Sequence, residues 1–596
     1  MRQKHRIIIG VLAALLFASP AMSQKKPRLT KAQQKVLEEK RARAKAEKDS
    51  IKARMNKEDN SWNKFVEETE EEWEKFRREC NEKYASLLEG SWTDIKDKKK
   101  EPLEKPKDLN SIDPKERQKQ MMAASAVVSD APLTDAGFSL KRVVKSIKKV
   151  FSSKPKPDPI YKRAPTTAEK PAAPKAEPKK IDDKFDNFFK EEKKPEIKAE
   201  KKPELPAIQP AKPAPDPSKV LTFMFYGTPM YVNIGEITKK LTLPQRLPNN
   251  DHKLVADAWR TCSSKPYDPL LDDCLRLKEE HKLGDWAYLR MLQIMAETWL
   301  GKDNNATTFL IAYLYCQSGY KIMLGENNGE LLMLFASPHA IYGKGRFDIN
   351  GTHYYVLNDR AKTFYYVTAC DQEFTGTQPM SLLIDESPVL TKNISDVRTI
   401  ASPKYPDVSI DVAVNKNLLD FYADYPSSEY DNNMMTKWQS YAEAAWDEDV
   451  FKQIVPALKK KLAGLSEKEQ IERLLDLMQS GLEYEYDDVV WGYDRAFFAE
   501  ETLFYPKCDC EDHAILFVKL VKEVTGLKSG LVYYPASAGH LAAAVHFTDP
   551  TVTGDYLLAD GERYYICDPT NIVPRPGVTM TNPFEDNSQA SIILMQ

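Results

Sequence analysis

The sequence lacks a surplus of either charge: 86 Lys and Arg stand against 88 Asp and Glu in 596 residues. A balance that close gives no electrostatic reason to bind nucleic acid or an anionic membrane. It also lacks long apolar runs. The one near the start, Ile7 to Phe17, is too short to cross a bilayer comfortably, and nothing longer follows it. No cysteine follows that run closely, which removes the site for a bacterial lipid anchor. Between Lys98 and Lys219 the chain lacks the apolar side chains that a packed core needs.

What is present begins with an export leader. Residues 1–23 carry Arg2, Lys4 and Arg6, then the apolar run, then Ala21-Met22-Ser23, the pattern of a secretory signal peptide cleaved before Gln24. The mature chain is therefore expected outside the cytoplasm, periplasmic or secreted. Residues 24–97 are dense in Lys, Arg and Glu, and predict a solvated, charged helical stalk with weak coiled-coil character. A short stripe of Trp62, Phe65, Val66 and Trp73 is a candidate contact for an envelope or surface partner or for the body of the protein itself. Residues 98–219, rich in Lys, Pro, Ala and Glu, predict a disordered linker. Two segments interrupt it, the basic amphipathic Ser139 to Phe151 and the Phe-rich Ile181 to Phe189.

The stretch with the most chemistry is Lys507-Cys508-Asp509-Cys510-Glu511-Asp512-His513. A thiol stands directly before an apolar run whose residues, from Ile515 to Val524, cover a wide helical arc, and Thr525-Gly526 stops it. Cys510 is thus placed at the positive end of a buried helix, where the dipole favours a thiolate. Gly539-His540-Leu541-Ala542-Ala543-Ala544-Val545 and Tyr564-Tyr565-Ile566-Cys567-Asp568-Pro569-Thr570 follow as strands. By alternation, His540, Ala542, Ala544 and His546 share one face, which is expected to receive the thiol helix.

These three stretches resemble, in order and spacing, the motifs of the transglutaminase-like superfamily of papain-like thiol enzymes. The resemblance implies Cys510 as nucleophile, His540 as base and Asp568 as the group that orients the imidazole. Cys508 stands where that family often has Gly. The chemistry suits the residue types: a thiol beside an imidazole forms a thiolate–imidazolium pair, and a carboxylate fixes the tautomer. An aromatic loop with Trp491 and Tyr493 precedes the thiol helix, where the family places a groove wall, so both are candidate substrate or oxyanion residues, with core packing the alternative.

The folded part reads as two copies of one unit. Gly351-Thr352-His353-Tyr354-Tyr355-Val356 aligns with Gly561-Glu562-Arg563-Tyr564-Tyr565-Ile566, and Gly329-Glu330 with Gly539-His540 at the same offset. Phe309 to Gly319 aligns with Leu516 to Gly526, three residues out of phase. In the first copy a residue near Asp303, Glu330 and Asn358 fall on the catalytic positions, so that copy is expected to be inactive.

Other readings of the same residues remain open at this stage. Cys508 competes with Cys510 as nucleophile, and His546 with His540 as base. Cys508 with Cys510, or Cys262 with Cys274, are candidate disulfides. Cys508, Cys510, His513 and Cys567 are a candidate zinc set without the usual paired knuckles. The resulting expectation is an α+β protein. Two tandem transglutaminase-like domains, 220–400 degenerate and 401–596 intact, each pack a helical part on an antiparallel sheet. The expected activity is acyl chemistry on a peptide or protein substrate, most simply hydrolysis by a cysteine peptidase or amidase, with no metal, no cofactor and no nucleic acid. The alternative is a non-catalytic binding or scaffold protein of the envelope or surface.

Overall fold

The computed structural model describes residues 60–96, 219–237, 240–357, 366–535, 539–571, 573, 575–580 and 585–596. The leader, the two segments within the linker, Asn358 and the side chains of the Trp62 to Trp73 stripe lie outside the described residues. The chain forms two compact units, one of Met1–Asp135 with Asp216–Gln596 and one of Ala136–Pro215, and every described residue is in the first. Helix and strand are mixed throughout, and the sheets are antiparallel apart from one short pairing, an α+β architecture. No described helix is long and apolar enough to cross a membrane.

The first described element corrects the stalk expected from sequence. The helix Asn60–Gly90 lies along the helix Lys253–Cys262, and its buried residues Asn81, Tyr84, Ala85 and Leu88 follow the spacing of one helical face. Charge that read as solvation serves docking. Arg77 pairs with Asp268 at 2.7 Å, and Arg260 pairs with Glu82 at 3.0 Å and Glu89 at 2.7 Å. Asn81 Oδ1 accepts from Trp259 Nε1 at 2.8 Å. Strand β1 (Trp92–Lys96) follows directly, with Trp92 stacked on His252 at 3.9 Å.

The next portion opens with the hairpin β2 (Val220–Phe225) and β3 (Thr228–Asn233). Three helices then lead to the buried helix Asn305–Gln317. Strands β4 (Ile322–Asn327), β5 (Glu330–Ala336), β6 (Ala340–Ile341), β7 (Arg346–Ile349), β8 (Thr352–Val356) and β9 (Tyr366–Cys370) follow. All but β6 join β1 in an antiparallel sheet in the order β1-β9-β4-β5-β8-β7, so the N-terminal segment supplies an edge. The turn between β7 and β8 holds Asn350 at φ 50 and Gly351 at φ 78, the two positive values that a two-residue hairpin turn of the primed type needs.

Strands β10 (Arg398–Ala401) and β11 (Ser409–Val412) form a small sheet, and β12 (Ser428–Glu429) pairs back onto β6. The helices Met435–Glu443, Glu448–Leu462 and Glu467–Gly481 come next, the last opened by a capping box of Ser466 and Glu469. β13 (Glu483–Tyr484) and β14 (Lys507–Cys508) pair in parallel and deliver the chain into the thiol helix Cys510–Leu520. Every residue of that helix is buried, and Gly526 closes it at φ 75. β15 (Ser529–Tyr534), β16 (His540–Val545), β17 (Tyr556–Ala559), β18 (Glu562–Ile566) and β19 (Ser591–Leu594) make a sheet ordered β17-β18-β16-β15-β19.

Read from the other edge, this sheet runs β19-β15-β16-β18-β17, the order of β9-β4-β5-β8-β7. The register agrees as well: Leu334 faces Val356 as Ala544 faces Ile566, and Ile349 faces Thr352 as Ala559 faces Glu562.

Candidate active site

The first turn of the thiol helix is built from acids. The backbone N–H of Asp509 donates to Asp512 Oδ2 at 3.3 Å, and that of Phe497 to Asp512 Oδ1 at 2.8 Å, tying the preceding loop to the helix start. His513 Nδ1 bonds the Asp509 carbonyl at 2.6 Å. Cys510 is the first helical residue, as its motif predicts. Its thiol donates to Glu511 Oε2 at 3.2 Å. Burial, then the charges of Glu511 and Asp509, hold that thiol well above its ordinary pKa; the nearby Leu541 backbone N–H acts the other way but does not prevail. The dipole argument for a resting thiolate is therefore outweighed here by desolvation and by like charge.

His540 and Asp568 meet at the end of the second sheet. His540 Nε2 donates to Asp568 Oδ2 at 3.1 Å, and both side chains are buried. Thr570 donates twice to Asp568 Oδ1, from its N–H at 2.9 Å and its hydroxyl at 2.8 Å. Burial opposes ionisation of Asp568, but His540 and these donors outweigh it and keep the carboxyl below the usual range. With Nε2 committed to Asp568, Nδ1 is the ring nitrogen left for chemistry. The His540 ring makes no hydrogen bond to the Cys510 thiol among the described residues. The thiol lies instead against the backbone of Leu541, the next residue along β16.

One expectation of strand parity is corrected. Leu541, Ala543 and Val545 share a core with the thiol helix, whereas Ala542 and Ala544 pack with Val532, Tyr534, Tyr564 and Ile566 on the opposite face. The alternation was right and its side was wrong: the His540 ring stacks with Tyr534 at 6.2 Å between ring centres, on the face of Ala542 and Ala544, while the thiol helix packs on the other face.

Around the helix start lies a buried acidic cluster that the sequence reading did not use. Ligand oxygens of Asp487, Asp509 and Asp512 lie within 4.8 Å of one another, as do those of Asp487, Asp494 and Glu511, near enough to share a cation as well as protons. Burial, then the charge of Glu511, pushes Asp487 up to about 8. Lys437, 4 % exposed, pairs with Asp494 at 2.9 Å and stays charged despite its burial. In sequence these acids look like ordinary helix-start residues. Only the fold brings Asp487 and Lys437 to them.

The remaining candidates fall into place around this centre. Trp491 packs edge-on to Phe497 and Tyr505, with the Arg495 guanidinium 4.3 Å from its ring centre, and Arg495 pairs with Glu501 at 2.5 Å. That is a packing role. Tyr493 is exposed two residues along the same loop. Cys508 is 1 % exposed against 8 % for Cys510, and its sulfur lies 3.6 Å from His513 Nδ1. His546 sits at the far end of β16, bonded to the Arg563 carbonyl at 3.0 Å, away from Asp568. Cys508, Cys510, Cys262 and Cys274 are all free thiols, so neither expected disulfide forms. Cys508, Cys510, His513 and Cys567 do not converge as a ligand set among the described residues.

In the first portion, Glu330 heads β5 as His540 heads β16. Asp303 has φ 58 and precedes the helix Asn305–Gln317. Asn305 crosslinks this end of the fold: its amide donates to the Pro244 and Gly329 carbonyls at 2.9 and 3.0 Å and accepts from Leu331 N at 2.8 Å. His339 is buried, accepts from Leu382 N at 3.2 Å and is lowered to about 4 by that burial, a structural histidine. No family model matches the sequence, and no curated protein matches it.

Proposed function

We propose that the protein is an exported thiol enzyme of transglutaminase-like type that performs acyl chemistry on a peptide or amide substrate. The observation that carries this is the buried His540–Asp568 pair at the end of β16, with Cys510 at the start of the thiol helix against the adjoining Leu541 backbone. In this reading the Cys510 proton passes to His540 Nδ1 as sulfur attacks the substrate carbonyl. The tetrahedral intermediate collapses to a thioester, and the imidazolium gives its proton to the departing amine. Asp568 holds the ring and stabilises its charge. Water then attacks the thioester, with His540 as base, releasing the acid and the thiol. Hydrolysis is favoured over transfer to an amine because nothing in the sequence marks a site for an acceptor amine.

The same reading takes residues 220–400 as a copy of the unit that lost this chemistry, supported by the shared strand order and register. A carboxylate at Glu330 is no imidazole, so that copy stabilises its neighbour or recognises substrate.

The test is mass spectrometry after treatment with an electrophilic epoxide or acyl probe. Cys510 should carry the label and His540→Ala should slow it. Labelling confined to Cys508, with activity surviving Cys510→Ala, would overturn the assignment. One observation favours a non-catalytic binding protein instead: the Cys510 thiol is hydrogen-bonded to Glu511 and held protonated. No labelling of Cys510 at any pH would support that second reading.

A further inference from the structure

Beside the His540–Asp568 pair stands a second buried carboxyl, Glu585, which no motif connects to it. It is 3 % exposed and lies in the segment leading to β19. Its Oε1 is 3.9 Å from His540 Nε2, and ligand atoms of His540, Asp568 and Glu585 all lie within 4.8 Å of one another. The Met580 backbone N–H donates to Oε2, while Oε1 has no hydrogen-bond partner among the described residues. The other groups facing it are Tyr534 and Asp555, and no Lys or Arg pairs with it among the described residues.

Two ionised carboxylates this close in a dry site would leave an uncompensated charge beside one imidazole. The environment resolves the conflict by separating them. Burial, then the charge of Asp568, drives Glu585 well above the ordinary carboxyl range, while His540 and Thr570 keep Asp568 ionised.

We propose that Glu585 is a positioning residue of this site: an uncharged carboxylic acid that turns its proton toward Asp568, so that two carboxyls present one negative charge to His540. The inference rests on the thiol-enzyme reading, since Glu585 would act on Cys510 only through the imidazole. Its natural mimic is glutamine, which keeps an acceptor for Met580 N–H and a donor for Asp568 but cannot ionise. Leucine keeps neither.

The experiment compares the full chain with Glu585→Gln and Glu585→Leu. Two readouts are taken across pH: iodoacetamide labelling of Cys510 by mass spectrometry, and the His540 imidazole titration by nitrogen NMR. Glu585→Leu is expected to slow labelling at neutral pH about tenfold and to displace the His540 titration, and Glu585→Gln to recover most of both. Equal impairment of the two variants would overturn the proposal, because the charge and not the proton would then matter. So would a leucine variant that melts earlier but keeps the His540 titration, because the role would then be structural only. If wild-type Cys510 proves unreactive while the His540 titration still responds to leucine and recovers with glutamine, the enzymatic reading falls and the carboxyl pairing stands. If the leucine variant does not fold, the glutamine variant decides alone. As pH rises, the wild-type His540 nitrogen shifts should show a separate step from Glu585 ionising, absent in Glu585→Gln, and a step that persists in that variant overturns the proposal.

Discussion

At Cys510 two local fields act in opposite directions. The helix start favours a thiolate, by up to about 2 kcal/mol in a partly buried setting. Burial and the neighbouring Glu511 carboxyl, which accepts the thiol proton at 3.2 Å, favour the thiol, and they prevail. A negative group beside a thiol raises its pKa, so removing that group lowers it, and the thiolate fraction at neutral pH rises. Glu511→Gln should therefore speed alkylation of Cys510 at neutral pH by about tenfold. At alkaline pH, where both proteins are ionised, the rates should converge. A variant slower than wild type at every pH would show that Glu511 helps the thiol and does not restrain it. Much of this centre was legible from residues: Cys510, His540 and Asp568 stand in recognisable motifs, and the structure gives two of them a direct bond. The acids were not legible, because their effect depends on burial. Asp509, Glu511 and Asp512 would be unremarkable at a solvated helix start.

At the scale of elements, the N-terminal helix shows where composition misleads. Its high charge predicted a solvated stalk, yet Tyr84, Ala85 and Leu88 are buried and its ions pair with Asp268 and Arg260. Four well-spaced residues suffice to dock a helix whose other faces stay polar, and a count over seventy residues dilutes them. Tyr84 is the anchor, 4.7 Å from the Trp259 ring and 5.4 Å from Phe374 by ring centres, with its hydroxyl buried and without a hydrogen-bond partner among the described residues. Tyr84→Ala should cost about 3 kcal/mol in urea unfolding, the cost of emptying a buried aromatic site. Tyr84→Phe should be neutral or stabilise by about 1 kcal/mol, since it removes a desolvated hydroxyl and keeps the ring. A Tyr84→Ala protein as stable as wild type would mean that the helix does not dock in solution. The strand bearing His540 teaches the same lesson: alternation along β16 was readable, but which face meets the helix is set by the helix position, which no single strand encodes.

For the whole molecule, the alignment of Gly351–Val356 with Gly561–Ile566 was readable, and both strands open on turn pairs, Asn350-Gly351 and Asp560-Gly561, of the few residue types that tolerate positive φ twice in succession. That alignment led directly to the repeated register. What the repeat concealed is how closely the two portions are joined. One hydrophobic core runs from Tyr84 to Cys567 without a break at residue 400. Strand β12 pairs onto β6, the Ala445 N–H donates to the Ile384 carbonyl at 2.8 Å, and Arg398 reaches the carbonyls of Thr502, Leu503 and Tyr505. Independent domains expose their own cores when they melt singly. Here, unfolding either portion would strip apolar contacts from the other and leave its buried carbonyls and carboxyls without donors. Calorimetry of the full chain should therefore show one cooperative transition covering both portions, although a chain of this length ordinarily melts in parts. Two transitions separated in temperature, with Tyr84→Ala lowering only one, would show that the halves are thermodynamically independent. The first portion could then be deleted without unfolding the site. A single transition lowered as a whole by Tyr84→Ala would mean that the portion lacking Cys510, His540 and Asp568 helps hold His540 against Asp568.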